Sequence, residues 1–356
     1  MKSKMYSILT AVIITSFNAT SIFSTVEPST KKLWCIVGGS RGAGNALARN
    51  LCDDTSVDCT LFVRDAKKTE DLFKDAPHKP TIVEGDVTTD LDILMEATAH
   101  ATYIVIAQIF PYAVWEESFQ QMVINCIAAA QESNATLIYY GRIQRYGMVN
   151  PITESSIATP NSEQGAVLDR MEKLLEEAGV KTILITHSYP FGPNVGDGLL
   201  EKNFTEIPKN SDKSWFKSKQ KFEWIASDKV KLQFTYLPDL AKFTRTLVEQ
   251  PAVQSTETPT ALRVNFAGLT VENINVFGAL YCKIADVPYQ LDCFSKSTLN
   301  LAAAFRPDAK RAKDAFYSFE NELLLSNTFQ EQICPFSLTP LETALQETYN
   351  AYTKKR

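Results

Sequence analysis

Closely spaced glycine residues follow the first strongly apolar segment of the chain. Gly38, Gly42 and Gly44 have the spacing GxxxGxG, directly after the apolar residues 33–37. Glycine adopts positive φ and lets the backbone approach a bound group closely, and the N–H groups at a helix N-terminus attract phosphate. The spacing therefore predicts a turn that binds a pyrophosphate. The residues predicted to form this site are Gly38, Ser40, Arg41, Gly42, Ala43 and Gly44.

An arginine follows the next apolar segment. Residues 59–63 predict a second strand, and Arg64 comes directly after it. At this place in a dinucleotide-binding unit an acidic side chain accepts from the ribose 2′-hydroxyl of NAD, whereas an arginine accommodates the 2′-phosphate of NADP. Because guanidinium groups pair well with phosphate, Arg64 and Arg41 favour NADP over NAD as the cofactor. The alternative is that both arginines are solvated surface residues.

The elements that must position these residues alternate between strands and helices. Such alternation is typical of βαβ units with right-handed crossovers, and it predicts an α/β fold with a Rossmann-type, doubly wound parallel sheet. The predicted strands are residues 33–37, 59–63, 81–84, 101–107 and 135–140, and the helices between them include residues 45–51 and 114–132. A helix after residue 86 is predicted to be capped by Thr88 or Thr89.

Further candidate residues follow the third and fourth strands. Asp86 and Val87 come just after residues 81–84, and Ala107 and Gln108 end the fourth strand. The carboxyl ends of parallel strands meet at one edge of the sheet, where ligands bind. We therefore predict that these four residues contact the cofactor.

Composition limits the classes of partner. The chain has 356 residues, 45% of them hydrophobic, and a formal net charge of -5. This length predicts a Rossmann domain over residues 33–190 and a small, mainly helical substrate lobe over 191–356, of which about 232–250 return to the core. The acidic balance argues against nucleic acid, so the expected partner is a small-molecule substrate. A homodimer is compatible with this organisation.

The N-terminal residues 1–24 are set apart from the fold. Lys2 and Lys4 precede an apolar stretch, and small residues follow it, as in a secretory signal peptide. An uncleaved anchor and a disordered leader on a cytoplasmic protein are the alternatives. The protein is expected to be exported if the leader is a signal peptide and cytoplasmic otherwise. The seven cysteines form no CxxC pair and do not support export.

Several motifs together resemble a known superfamily. VGGSRGAGNALA, FVRD and VEGDVT are followed in order by YGMVNPITESS, THSYPFGPN, QFTYLPDLAKF and CPFSLTPLETALQETY. This series is similar to the short-chain dehydrogenase/reductase superfamily, nearer its extended and atypical branches of NAD(P)-dependent epimerase/dehydratase proteins. The resemblance implies hydride chemistry on a small carbonyl or hydroxyl compound, with the C-terminal lobe setting substrate specificity.

The chain departs from that superfamily at the residues that usually carry catalysis. A tyrosine with a lysine four residues later, and an upstream serine or threonine, normally exchange the proton and hold the nicotinamide ribose. None of the thirteen tyrosines here has a lysine at the fourth following position. The Tyr and Lys positions fall on Gln164 and Leu168, and the upstream hydroxyl falls near Arg142. Neither Gln nor Leu donates a proton, so the usual mechanism cannot operate through these positions.

Three functions remain open. In the first, the protein is an atypical oxidoreductase or epimerase that takes its proton from another group. Tyr146 is the candidate catalytic residue, and Tyr140 and His187 are the next candidates. The alternative for Tyr146 is that it is a packing residue. In the second, the protein binds NADP(H) without catalysis and reports the state of that pool. In the third, the fold serves as an interaction platform.

The sequence of the C-terminal half predicts less. Residues 182–194 predict a strand and a turn that, by the resemblance, helps to bound the nicotinamide end of the cleft. Residues 202–231 interleave lysines with aromatic residues, which indicates either a lid for an anionic substrate or a solvated amphipathic helix. Residues 234–248 predict a short strand and a helix with Pro238 in its first turn.

The last part of the chain is predicted to be mainly helical. A strand is expected at residues 263–266, a helix from Thr270 to about residue 284, and a largely helical segment at 297–325. Thr339, Pro340 and Glu342 predict the start of the last helix through a capping arrangement. Metal-ligand spacings such as HExxH are absent from the sequence, and no metal site is predicted.

Overall fold

A seven-stranded parallel sheet forms the centre of the protein. The computed structural model describes residues 31–108, 110, 115–196, 199–211, 221–255, 261–304 and 307–354. The strands in this part of the chain are β1 (Lys32–Val37), β2 (Val57–Val63), β3 (Thr81–Glu84), β4 (Tyr103–Ile106), β5 (Thr136–Arg142), β6 (Thr182–His187), β7 (Tyr189–Phe191), β8 (Phe222–Ile225), β9 (Leu232–Tyr236), β10 (Ala261–Phe266), β11 (Leu269–Val271) and β12 (Leu291–Phe294). The central sheet has the order β10-β6-β5-β4-β1-β2-β3, and every pair within it is parallel.

Helices cover both faces of this sheet. They are α1 (Gly42–Cys52), α2 (Ala66–Leu72), α3 (Leu91–Thr98), α4 (Trp115–Ser133), α5 (Glu163–Glu176), α6 (Leu199–Ser211), α7 (Leu237–Val248), α8 (Pro251–Gln254), α9 (Ile274–Ile284), α10 (Lys296–Ala303), α11 (Pro307–Asp314), α12 (Phe316–Glu320), α13 (Thr328–Ile333) and α14 (Leu341–Thr353). One core lies under α1 and α7, and a second lies under α3, α4 and α5. The predicted fold class, a doubly wound α/β sheet, is confirmed.

The apolar strands reflect burial on both faces. In β1 the side chain of Ile36 belongs to the core under α1, whereas its neighbours Cys35 and Val37 belong to the core under α4. A strand with helices on both sides has no solvated face, so its sequence is continuously apolar and does not alternate. The strand order reverses between β1 and β4, which both pair with their neighbours in parallel. At such a reversal the connecting helices leave to opposite faces and a crevice opens between them.

The chain after β6 contributes to the central sheet and to two smaller sheets. β10 is an edge strand of the central sheet, whereas β7, β9 and β11 form a three-stranded sheet and β8 and β12 a two-stranded one. α7 packs against α1. There Arg245 forms an ion pair with Asp54 and donates from Nη1 to the carbonyl oxygen of Asn50 at 3.1 Å.

One predicted helix start and two predicted helix caps are wrong. Thr270 lies in strand β11, and α9 begins later because Asn273 accepts a hydrogen bond from the N–H of Asn275. Asp90, not Thr88 or Thr89, occupies the N-cap position of α3, and its side chain makes no capping bond. The side chain of Thr339 does not cap α14: its N–H and Oγ1 both donate to the carboxylate of Asp239 on α7, each at 2.7 Å. A contact distant in sequence replaces the local cap.

Some predictions concern residues outside the described part of the chain. The leader at 1–24 is one, and the lysine and aromatic residues at 212–220 are another. Among the residues that the structure describes, no helix combines the length and the apolar character needed to cross a membrane.

The glycine turn yields a stability prediction. A Cβ at Gly44 would lie 2.5 Å from the carbonyl oxygen of Gly38, whereas a Cβ at Gly179 has no neighbour within 4 Å but sits at φ +66°. We expect Gly44→Ala to lower the free energy of unfolding by more than Gly179→Ala, for which backbone strain costs about 1–2 kcal/mol. Urea unfolding of both variants measures the difference, and equal losses would show that the turn relaxes around the added methyl group.

Candidate functional site

The glycine turn brings two backbone segments into direct contact. Gly38 follows β1 with φ +94°, and a Cβ there would lie 2.5 Å from the Cα of Gln108, just after β4. A Cβ at Gly44 would also lie 2.9 Å from the Cβ of Ala107. Both glycines therefore exclude a side chain because neighbouring atoms approach them closely, and Gly38 also has a positive φ. The result is a cradle of bare backbone where the strand order reverses.

A second segment of the chain lies on this turn. The N–H of Gly42, at the start of α1, donates to the carbonyl oxygen of Asn194 at 2.9 Å. The side-chain amide of Asn194 donates in turn to the carbonyl oxygen of Ser40 at 3.0 Å, and Nη1 of Arg41 donates to the carbonyl oxygen of Gly196 at 3.1 Å. One of the amides predicted to face a pyrophosphate thus donates to the protein's own backbone. Sequence reasoning missed this contact because nothing local indicates it.

The residues predicted to meet the adenosine end lie at the ends of β2 and β3. Arg64 is exposed directly after β2. The next residue, Asp65, accepts a hydrogen bond from the N–H of Lys68 at 2.9 Å and caps α2. Asp86 accepts from both the N–H and Oγ1 of Thr88, which organises the turn after β3. The carbonyl oxygen of Val87 accepts from the side-chain amide of Asn125 at 2.7 Å.

A cleft extends from the glycine turn along the carboxyl ends of β4, β5 and β6. Its walls are mainly apolar, and its polar side chains are Gln108, Tyr139, Tyr140, Arg142 and His187. The lining residues are Gly42, Ala43, Ile106, Ala107, Gln108, Phe119, Tyr139, Tyr140, Arg142, Leu168, His187, Pro190, Val195 and Leu237. The structure thus brings together Gly42, Ala43, Ala107 and Gln108 from the predicted cofactor set.

Tyr146, the predicted catalytic residue, is not among the residues that line the cleft. Its side chain is fully buried. Its hydroxyl lies 3.3 Å from Nη1 of Arg145 and 3.4 Å from Nη1 of Arg263. These two arginines pair with Glu172 on α5, at 3.1 Å and 2.5 Å. Since buried charges need partners, the hydroxyl belongs to a structural ion-pair cluster and we no longer assign it a catalytic role.

The positions that would carry tyrosine and lysine in the resembled superfamily lie on α5. Gln164 is buried in the first turn of this helix, where its N–H donates to the Asp314 carboxylate at 2.9 Å. Leu168, one turn later, lines the cleft. Arg142 also lines the cleft, at the end of β5. A hydrocarbon and a guanidinium therefore replace the usual lysine and the upstream hydroxyl.

His187 is held in one state by its neighbours. Its Nδ1 lies 2.8 Å from the carbonyl oxygen of Ser188, so this nitrogen carries the proton and the lone pair is on Nε2. Burial, and secondarily the charge of Arg142, lowers the pKa of His187 to about 4. The imidazole is therefore neutral at pH 7 and accepts a hydrogen bond through Nε2. Tyr140, the other alternative from the sequence, shares a hydrogen bond with Oγ1 of Thr244 at 3.0 Å.

The cysteines and the acidic residues offer no metal site. All seven cysteines are free thiols, and five of them are buried. In the part of the chain that the structure describes, no group of three or more histidine, cysteine or acidic side chains is arranged to hold a metal ion.

Comparison with known proteins agrees with this geometry. Residues 38–181 match the family model described as NAD(P)H-binding. A comparison with curated protein sequences found no match. The Rossmann-type fold was predicted from the same residues that the family model covers.

Solved structures match over nearly the whole chain. The Bordetella bronchiseptica enzyme WbmH in complex with NAD+ has a TM-score of 0.69 and 16% identity, covering 91% of this chain and 99% of its own. The UDP-glucose 4-epimerase of Thermotoga maritima with UDP-glucose has a TM-score of 0.70 and 13% identity, with the same coverage. The dTDP-glucose 4,6-dehydratase of Bacillus anthracis with NAD has a TM-score of 0.69 and 11% identity, covering 91% and 97%. Identities this low show the fold alone.

His187 yields a prediction for the dependence of stability on pH. Its pKa is lower in the folded state than in the unfolded one, so the unfolded chain binds more protons between about pH 6.5 and 4. The contribution of His187 to stability is therefore present above this pH window and is lost as the pH falls through it. The free energy of unfolding should decrease by up to about 3 kcal/mol across the window. Urea unfolding at pH 7 and pH 5 should show a smaller acid-dependent loss in His187→Gln than in the wild type. Identical losses would contradict the assignment of a neutral imidazole.

Tyr146 and Tyr140 form a matched pair for mutation. Tyr146→Phe removes an acceptor shared by Arg145 and Arg263 and should lower the free energy of unfolding by about 1–2 kcal/mol. Because Tyr146 is not a lining residue, dinucleotide affinity measured by fluorescence should not change. Tyr140→Phe, at a cleft-lining position in the preceding strand, is the control. A loss of affinity confined to Tyr146→Phe would return Tyr146 to the site.

Proposed function

We propose that this protein is an atypical NAD(P)-dependent oxidoreductase or epimerase/dehydratase-like enzyme. Its fold is that of the extended short-chain dehydrogenase/reductases, and its residues 38–181 match an NAD(P)H-binding family. Its substrate would be a small carbonyl or hydroxyl compound. The observation that carries the proposal is the cradle of bare backbone formed by Gly38 against Gln108 and by Gly44 against Ala107. Such an approach leaves room for a pyrophosphate beside the helix N-terminus.

The residues around the turn fit a dinucleotide. Ala43 and Ala107 line the cleft next to the turn and give it a smooth wall. Gln108 adds a buried side-chain amide that has no hydrogen-bond partner among the described residues. The Asn194 carbonyl that accepts from Gly42 competes with a phosphate for the same N–H, so binding would require the segment around Asn194 to shift. We assign the phosphate contacts to Gly38, Ser40, Arg41, Gly42, Ala43 and Gly44, with Asp86, Val87, Ala107 and Gln108 beyond them.

We assign NADP as the cofactor in preference to NAD. Arg64 is exposed at the end of β2, where the ribose of a dinucleotide lies in this architecture. Arg41 is an exposed cation within the turn itself. It donates a hydrogen bond to a backbone carbonyl, which has no net charge and therefore does not neutralise the guanidinium group. Two guanidinium groups suit the 2′-phosphate, which NAD lacks.

Proton transfer requires a group other than the missing tyrosine. A bound nicotinamide would supply hydride acceptance or donation. His187 lies in the cleft with its lone pair on Nε2, so it can accept the proton of a substrate hydroxyl as that carbon is oxidised, and return it in the reverse direction. Leu168 and Ile106 line the same cleft and limit the access of water. We assign His187, in place of Tyr146, as the proton-exchanging residue.

A second function has specific support. The lysine position is Leu168, and the Gly42 amide is bonded to Asn194. A protein with these features could bind NADP(H), move the Asn194 segment and signal the state of that pool without turnover. Tight binding of NADPH with no hydride transfer to any of a panel of carbonyl compounds would favour this sensor. No binding of either dinucleotide would leave an interaction platform.

Fluorescence titration with NADPH and NADH tests the cofactor assignment. We expect NADPH to bind at least tenfold more tightly than NADH. Arg64→Gln and Arg41→Gln should each lower the affinity for NADPH about tenfold, because each removes a contact between a charge and the phosphate. The affinity for NADH should change little in both variants. Arg170→Gln, an exposed arginine on α5 paired with Glu116, is the matched control. Tighter binding of NADH would show that Arg64 and Arg41 do not read a 2′-phosphate.

A further inference from the structure

A short segment after β7 lies across the glycine turn. We define the strap as residues 192–196. The N–H of Gly42 donates to the carbonyl oxygen of Asn194 in the strap at 2.9 Å, and the side-chain amide of Asn194 donates to the carbonyl oxygen of Ser40 at 3.0 Å. Because the first N–H groups of a helix are those that bind phosphate, the Asn194 carbonyl takes the place of a phosphate oxygen at the start of α1.

The strap is bounded by glycines and has a strained residue between them. Gly192 has φ +136° and Gly196 has φ +83°, which glycine adopts without the steric cost that a side chain brings. Asn194 has φ +54°, a left-handed conformation that costs free energy for a residue with a side chain. The hydrogen bonds of the strap must offset this cost, so its closed position over the turn depends on the groups that hold it.

Helix α14 holds the strap in its closed position. The hydroxyl of Tyr352 on this helix accepts a hydrogen bond from the N–H of Val195 in the strap at 3.2 Å. Glu347, also on α14, accepts a hydrogen bond from the hydroxyl of Tyr236. The ring of Tyr236 lies against the first residue of the strap, since a Cβ placed at Gly192 would be 3.3 Å from it. One helix therefore contacts the middle of the strap directly and its beginning through Tyr236.

We propose that the strap is an autoinhibitory element, which α14 holds over the N–H of Gly42 and which a dinucleotide must displace before its pyrophosphate binds. The identity of the ligand is taken from the proposed function, on which this inference rests. The competition is direct because a backbone N–H is a single donor. The measured dissociation constant is then that of the open protein divided by the fraction of molecules that are open. The position of α14 therefore sets the affinity of the turn for its cofactor.

Two substitutions weaken the closed strap without changing the turn. Tyr352→Phe keeps the ring and removes the acceptor for the N–H of Val195. Asn194→Gly removes the bond to Ser40 and introduces a residue that adopts positive φ. We expect each to lower the dissociation constant for NADPH by about three- to tenfold in fluorescence titration of the full chain, because the open fraction rises. Loss of a residue that contacts the cofactor would instead raise the dissociation constant.

Stopped-flow binding and a matched tyrosine provide the controls. The gain should appear in the association rate constant, since the strap is displaced in the complex. A gain confined to the dissociation rate constant would indicate a new contact with the cofactor and contradict the proposal. Tyr349→Phe, on the same helix and edge-on to Tyr281, should bind NADPH as the wild type does. If either Tyr352→Phe or Asn194→Gly, folded by circular dichroism, binds NADPH as the wild type does or more weakly, the proposal is wrong.

Amide hydrogen exchange tests the strap in the absence of any ligand. Opening frees the N–H of Gly42 from the Asn194 carbonyl, so Tyr352→Phe and Asn194→Gly should each speed its exchange by about threefold or more. Unchanged exchange in both variants would show that these contacts do not hold the strap and would overturn the proposal. Faster exchange in protein that binds neither NADPH nor NADH would overturn the proposed function and retain the strap. NADPH binding with unchanged affinity in both variants would do the reverse.

Discussion

The structure depends on one close backbone approach, between the turn after β1 and the end of β4. Gly38 and Gly44 meet Gln108, Ala107 and each other at distances that a Cβ would violate. This contact fixes where α1 begins, and therefore where its N-terminal amides lie relative to the sheet edge. Since the strand order reverses at the same point, the contact also locates the cleft. The turn has no room for a side chain at Gly38 or at Gly44.

Tyr146, the candidate catalytic residue from the sequence, occupies a packing position, and the reason lies in charge pairing. Arg145 and Arg263 surround Glu172, whose side chain is fully buried. Desolvation raises the pKa of Glu172, and the two arginines oppose that rise. A buried carboxylate is stable only with such partners, and the Tyr146 hydroxyl completes the cluster as a further acceptor. The cluster thus occupies the space behind β5 and holds Tyr146 away from the cleft.

The sequence predicts local features of this molecule better than contacts between distant segments. The strand at residues 81–84 was predicted with its observed bounds, because three β-prone residues, Thr81, Ile82 and Val83, stand between Pro80 and the Gly85 turn. Tyr146 could not be placed correctly, since its partner Arg263 is 117 residues away. The same holds for Asn194 on the glycine turn and for Thr339 on Asp239. In both places the local sequence indicates a free amide or a helix cap. The folded chain instead forms a hydrogen bond between residues that are distant in sequence.

The polar groups of the cleft are unequally satisfied, and this inequality separates structural from functional roles. Tyr140 and Tyr139 are adjacent in β5 and face opposite sides of the sheet, so the hydroxyl of Tyr140 meets Thr244 on α7 whereas that of Tyr139 is buried without a hydrogen-bond partner among the described residues. His187 has one ring nitrogen bonded to the backbone and the other left as an acceptor. A folded protein normally pairs its buried polar atoms. The satisfied hydroxyl of Tyr140 therefore maintains the sheet, whereas the second ring nitrogen of His187 is an acceptor within the cleft.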